Sequence, residues 1–195
     1  MPKAVDQSTK DRILDAAIGE IAQRGWSGVR SRGIAKRAGV NNALVHYHFG
    51  SMERLLIAAA GKAIVDIDSD LGPPPPGSSL ADVLSHYARA EAEYDLDDPR
   101  GAVLLEALLH SPRVGDVAQI VGNMLDQYRS VTGDAIATGV QEGELSADTD
   151  REGLAIALVA LLDGLALHRY LASDLDIERA VSAITDLWKP AEEEK

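Results

Sequence analysis

The chain has no cysteine, so a disulfide framework and thiolate metal sites are both excluded. Aromatic residues make up only 4% of it, so any internal cavity is expected to be mainly aliphatic and to suit an apolar or mixed ligand. No uncharged apolar run of membrane-spanning length stands out, and the opening MPKAVDQSTK lacks the apolar core of a signal peptide. No segment alternates polar and apolar residues with period two, so no sheet is expected. The five histidines are scattered without metal-ligand spacing. There is no defensible Ser-His-Asp order, no glycine-rich phosphate loop and no cofactor signature. These absences argue against an enzyme and leave a cytoplasmic, metal-free, all-α protein.

What is present is helical periodicity over 195 residues, 46% of them apolar. About nine helices are expected. Ser8 and Asp11 are spaced to cap a first helix that buries Ile13, Leu14, Ala17, Ile18 and Ile21 and ends at Gly25. Trp26 is expected to fold back on it. Helix 4 spans about Met52 to Ile67, helix 5 Leu80 to Tyr94, and helix 6 Pro99 to His110, with Asp98 as its cap. Helix 7 runs from about Val114 to Gln141, helix 8 from Asp148–Asp150 to Leu171, and helix 9 from Asp176 to Trp188. Gly164 inside helix 8 suggests that another helix passes close by. Between helices 4 and 5, GPPPPGSS reads as a stiff surface loop.

The stretch SRGIAKRAGVNNALVHYHF, residues 31–49, reads as two short helices around a tight turn at Gly39. Ile34, Ala35 and Ala38 face inward from the first, and Val40, Leu44 and Val45 from the second. The remaining positions are polar or basic, the types that contact phosphates and base edges. The net charge of −12 conceals a division that suits this role. Residues 1–60 hold nine Lys/Arg against five Asp/Glu, net +4, whereas residues 61–195 hold ten against twenty-six, net −16. A basic head attracts DNA that an acidic body repels. The expected boundary lies at residue 50, with a helix-turn-helix head at 1–50 and a body at 51–195.

RILDAAIGEIAQRGWSGVRSRGIAKRAGV, the ending HYHFGS and the following ERLL resemble the TetR family of bacterial transcription regulators. LLDGLAL around Gly164 resembles the family's eighth helix. Two positions depart from the pattern: His46 stands where a phosphate-contacting tyrosine is usual, and Met52 where a lysine is usual. The resemblance implies a ligand-responsive repressor that binds a palindromic double-stranded operator as a homodimer and is released by a small molecule.

The expected DNA contacts are Arg30, Arg32, Lys36, Asn41, Asn42, His46 and Tyr47, with Thr9 and Lys10 on the flanking backbone. Asn42 is the favoured base reader, while Asn41 either reads a base or caps its own helix. Arg37 is assigned to solvent and His48 to packing. Polar side chains within apolar helices are the effector candidates, namely Tyr87, His110, Tyr128, Asp163 and His168, with His86 beside them. Each has a core or interface alternative, and His110 is spaced to pair with Glu106. Leu158, Leu161, Leu165, Val181, Ile184 and Trp188 are expected to form the dimer face, unless they only pack on helices 5–7. The competing function is a helical small-molecule-binding protein or enzyme whose head no longer binds DNA.

Overall fold

The computed structural model describes residues 8–110, 115–172 and 174–188, with the Trp188 side chain outside that description along with Val114. The described residues form nine α-helices and no strand. They are α1 (Thr9–Arg24), α2 (Ser31–Ala38), α3 (Asn42–Phe49), α4 (Met52–Leu71), α5 (Leu80–Glu93), α6 (Pro99–His110), α7 (Gly115–Gln141), α8 (Arg151–Leu171) and α9 (Ile177–Thr185). Short 3-10 turns follow α1 and α9.

Helix boundaries follow local chemistry. The Ser8 hydroxyl accepts from the Asp11 amide at 3.2 Å, and Asp150 and Asp176 cap α8 and α9 in the same way. Gly25, Gly39 and Gly50 end α1, α2 and α3 at positive φ. The proline segment leaves Pro73, Pro75 and Pro76 exposed but buries Pro74. His86 Nε2 lies 3.1 Å from the Gly72 carbonyl at its start.

Two compact units divide the chain. The first holds residues 1–70 and 97–122; the second holds residues 71–96 and 123–195. The chain passes between them at residues 70/71, 96/97 and 122/123. In the first unit, α1 packs against both α2 and α6. Glu106 of α6 accepts from the Trp26 amide at 2.9 Å, and the Trp26 ring stacks on His110 at 5.2 Å. Trp26 therefore reaches α6, while the 3-10 turn that it begins also contacts α1. Helix α4 belongs to this unit as well, where Lys62 bridges Asp15 of α1, 3.1 Å away, and Asp66.

The second unit is built from α5, the remainder of α7, α8 and α9. Its core joins Leu80, Val83, Leu84 and Ala88 to Ala135, Ile136, Ala155, Leu158, Ile177 and Val181. Two of the expected dimer residues, Leu158 and Val181, are thus consumed by the chain's own core. Leu161, Leu165 and Ile184 are half-buried. The exposed face of α8 is a different one, carrying Ile156, Ala160, Leu167 and Leu171. These positions recur at helical spacing and form one stripe. Gly164 lies on that stripe, and nothing in the chain comes within 4 Å of a Cβ built there. The close neighbour expected at Gly164 is therefore not another helix of the same chain. By length and composition α8 could span a membrane, with a mean hydropathy of 1.6 and only 17% of that stretch buried.

Candidate nucleic-acid interface and effector site

The turn between α2 and α3 depends on a left-handed residue. Gly39 has φ 64° and ψ 36°, and the Val40 amide donates back to the Ala35 carbonyl at 3.0 Å. Arg12 of α1 donates from Nη2 to the Ala38 carbonyl at 2.6 Å, placing a cation on the C-terminal end of α2. Arg37, expected in solvent, is exposed but also reaches across α1. Its guanidinium occupies the space above Gly19 and approaches the buried Glu20 carboxylate at 3.9 Å. Glu20 also accepts from Arg24 at 2.9 Å. Only glycine at position 19 leaves room for that crossing.

Arg32 and Lys36, one turn apart on α2, are exposed, and no described residue pairs with either. On α3, Val45 and Phe49 face the core, whereas His46 and Tyr47 face solvent, Tyr47 at 82% exposure. His48 is half-buried, with its ring 5.3 Å from Tyr47 and 6.4 Å from Phe49. Lys10 is exposed and Thr9 half-buried at the start of α1. These groups form a cationic and aromatic surface suited to phosphates. Arg30 is less free, since its Nη1 donates to the Ser27 and Val29 carbonyls at 2.9 and 2.8 Å.

Of the two asparagines, Asn41 takes the capping alternative and Asn42 departs from the expected base-reading position. Asn41 is the cap of α3, its Oδ1 accepting from the Ala43 amide at 2.9 Å. Asn42 is half-buried, and its Oδ1 is shut away without a described partner. Pairing with adenine uses the oxygen and the amino group together. Neither side chain offers both ends in this arrangement. Leu44, expected in the core, is 40% exposed.

In the second unit, Tyr87 of α5 and Tyr128 of α7 meet edge to face at 5.4 Å. Glu91, one turn beyond Tyr87, comes within 3.9 Å of Arg169 on α8. Burial pushes the Glu91 carboxyl above its ordinary value; Arg169 pulls it down and Asp163 adds to the rise. Asp163 is raised by the same loss of hydration, with Arg129 opposing. Its side chain reaches solvent, but the surrounding helices strip enough water to raise the carboxyl above its ordinary value. Arg169 also donates to the Ala92 and Tyr94 carbonyls, both at 2.9 Å, and so ties α8 to the end of α5. Thr132, fully buried on α7 one turn after Tyr128, has a hydroxyl that no described residue bonds.

Of the effector candidates, Tyr87, Tyr128 and Asp163 therefore gather in one unit with Glu91, Arg129 and Arg169. His110 belongs to the other unit, stacked on Trp26 and 3.4 Å from Glu106. His168 is exposed on α8. The i,i+4 spacing of Tyr87 and Glu91 was visible in the sequence, but the chain has so many acids that one more on α5 carried no signal. Among the described residues no group of His, Asp or Glu is arranged to hold a metal ion.

The raised Glu91 carboxyl has a consequence for stability. Its folded value lies above its unfolded one, so the folded protein keeps a proton that the unfolded chain has already lost. Stability from this group is present at acid pH and is lost as the pH rises from the unfolded range through the raised value. Glu91→Gln is expected to flatten that slope, melting above wild type at neutral pH and gaining nothing at acid pH. Thermal melts between about pH 4 and pH 8 check it.

Fold and site together define a ligand-responsive, DNA-binding transcriptional regulator. Residues 13–59 match the family model of bacterial regulatory proteins of the tetR family, and residues 81–188 match that of the C-terminal part of BetI-type transcriptional repressors. The chain belongs to the TetR family. It is similar to the transcriptional regulator TtgR of Pseudomonas putida, 25% identical over 94% of this chain and 92% of that protein. BetI of Brucella suis is 24% identical over 95% and 93% respectively. Among solved structures, a transcriptional regulator of Saccharomonospora viridis in complex with choline has a TM-score of 0.74 at 24% identity, covering 91% of this chain and 95% of that one. GusR of Salmonella enterica gives 0.74 at 22% identity, over 97% and 100%.

Proposed function

We infer that the chain is a cytoplasmic repressor without enzymatic activity. It binds a palindromic operator as a homodimer through α2 and α3 of a head at residues 1–50, and a small organic cation taken up by a body at residues 51–195 releases it. The observation that carries the effector class is the presence, in one unit, of the edge-to-face pair Tyr87 and Tyr128 and of the desolvated acids Glu91 and Asp163, with Glu91 one helical turn beyond Tyr87 on α5. Aromatic faces attract a cation through their quadrupole, and quaternary ammonium groups are suited to such cages because they donate no hydrogen bond. A desolvated carboxylate supplies the charge that such a ligand lacks. The choline bound to the S. viridis regulator is of this chemistry. Four of the five tyrosines, Tyr87, Tyr94, Tyr128 and Tyr170, lie in the second unit, which supports this reading beside the aliphatic cavity expected from the scarcity of aromatics.

The exposed α8 stripe supports the homodimer. A monomer that left Ile156, Leu167 and Leu171 in water would forgo their burial. The open space at Gly164 suits the close approach of a partner helix.

Gel-shift titrations on DNA from the gene's own upstream region test the function. The protein is expected to shift this DNA, and choline to release it. Glu91→Gln is expected to keep the shift and lose about tenfold in choline sensitivity, the equivalent of about 1.4 kcal/mol. A folded dimer that shifts no DNA at low salt would refute DNA binding. A shift indifferent to choline and to tetramethylammonium alike would refute the cationic effector.

A further inference from the structure

We propose that Leu44 reads the C5-methyl group of a thymine in the operator, so that base recognition by α3 is in part apolar. The proposal rests on the DNA-binding role of the head. Recognition helices of this motif present their N-terminal residues to the base edges of the major groove. In α3 those residues are Asn41, Asn42, Ala43 and Leu44. The Asn41 oxygen is committed to the helix cap, and the Asn42 oxygen is buried. Besides the cap Asn41, itself exposed but with its oxygen engaged, the first turn leaves Ala43 and Leu44 exposed.

Leu44 is not needed by the core. Val45 and Phe49 fill that role for α3, at 2% and 8% exposure. Leu44 instead shares a helix face with Tyr47 and His48, three and four residues on. Its surface is therefore continuous with that of Tyr47, the aromatic group of the phosphate-facing set. Arg32 and Lys36 of α2 flank the motif with free cations. An apolar side chain on this surface has one apolar counterpart in the major groove, the thymine methyl, which no other base presents. Leu44 thus distinguishes thymine from cytosine by a contact that cytosine cannot make.

The test uses the full chain and begins with affinity selection from random duplexes to obtain its consensus. Deoxyuridine then replaces each thymine, one symmetric pair at a time, which removes only the methyl. Binding is measured by fluorescence anisotropy for wild type and for Leu44→Ala, an exposed position where the fold is not at stake. Wild type is expected to lose about fourfold per half-site at one thymine position, the effect of one buried methyl. Leu44→Ala is expected to bind the thymine duplex more weakly and to show no further loss with uracil. A wild type indifferent to uracil at every position overturns the proposal, as does an equal uracil penalty in both proteins. If selection enriches no sequence at all, sequence-specific DNA reading itself fails, and the two failures are thereby distinguished.

Discussion

Replacing Leu167 and Leu171 together with glutamate is expected to yield a folded monomer that binds its operator between about 10² and 10⁴ times more weakly than wild type. Both side chains lie on the exposed α8 stripe, Leu171 at 78% exposure, and neither belongs to the core of its unit. Their loss therefore removes little from the single chain. In a dimer the stripe is buried, and two carboxylates placed in an apolar contact carry a desolvation cost that no described partner offsets. Operator affinity follows, because each head alone gains only one half-site. In the dimer the second head binds at the high effective concentration set by the first. Sedimentation gives the mass and anisotropy the affinity. The control is Val65→Glu, an exposed apolar position on α4, which is expected to change neither. A double variant that remains dimeric with wild-type affinity would show that α8 is not the dimer contact.

Gly39→Val is the second large effect expected, and it acts on the head. The residue sits in the left-handed region, where a β-branched side chain carries a strain of about 1–3 kcal/mol. A Cβ there would also stand 3.2 Å from Arg12 Nη2, the group that caps the Ala38 carbonyl. Relief on either side opens the angle between α2 and α3. Operator affinity is expected to fall by at least about tenfold, equivalent to about 1.4 kcal/mol, together with a lower melting temperature. Gly39→Asn is expected to recover most of both, since asparagine tolerates this backbone. The choline response proposed for the body, read by calorimetry, is expected to be the same in both variants, since Gly39 lies in the other unit. An unaltered operator affinity in Gly39→Val would mean that the turn geometry does not position α3.

Helix-capping chemistry and apolar spacing are local, and for that reason they were legible. Ser8, Gly25, Gly39, Asp98 and Asp150 each mark a boundary because the backbone groups they satisfy lie within a few residues. The same holds for the charge division and for the exposed pair Tyr47 and His46. Ends of helices that no local group stops were placed less well. Helix α4 runs on to Leu71, past the expected Ile67.

The amino-acid sequence alone determined that this is an all-α chain with a basic helix-turn-helix at residues 31–49, whose turn needs Gly39. Tertiary structure decided which face of each helix is spent inside the chain. Leu158 and Val181 look like interface residues by periodicity, yet they fill the core, while Ile156, Leu167 and Leu171 stay outside. It also decided that Arg37 crosses Gly19, that His110 supports Trp26, and that Glu91 meets Arg169 of α8. Periodicity shows that a helix has an apolar face, but α8 is apolar nearly all round. Only the neighbours that fold against it determine which side is left for another molecule.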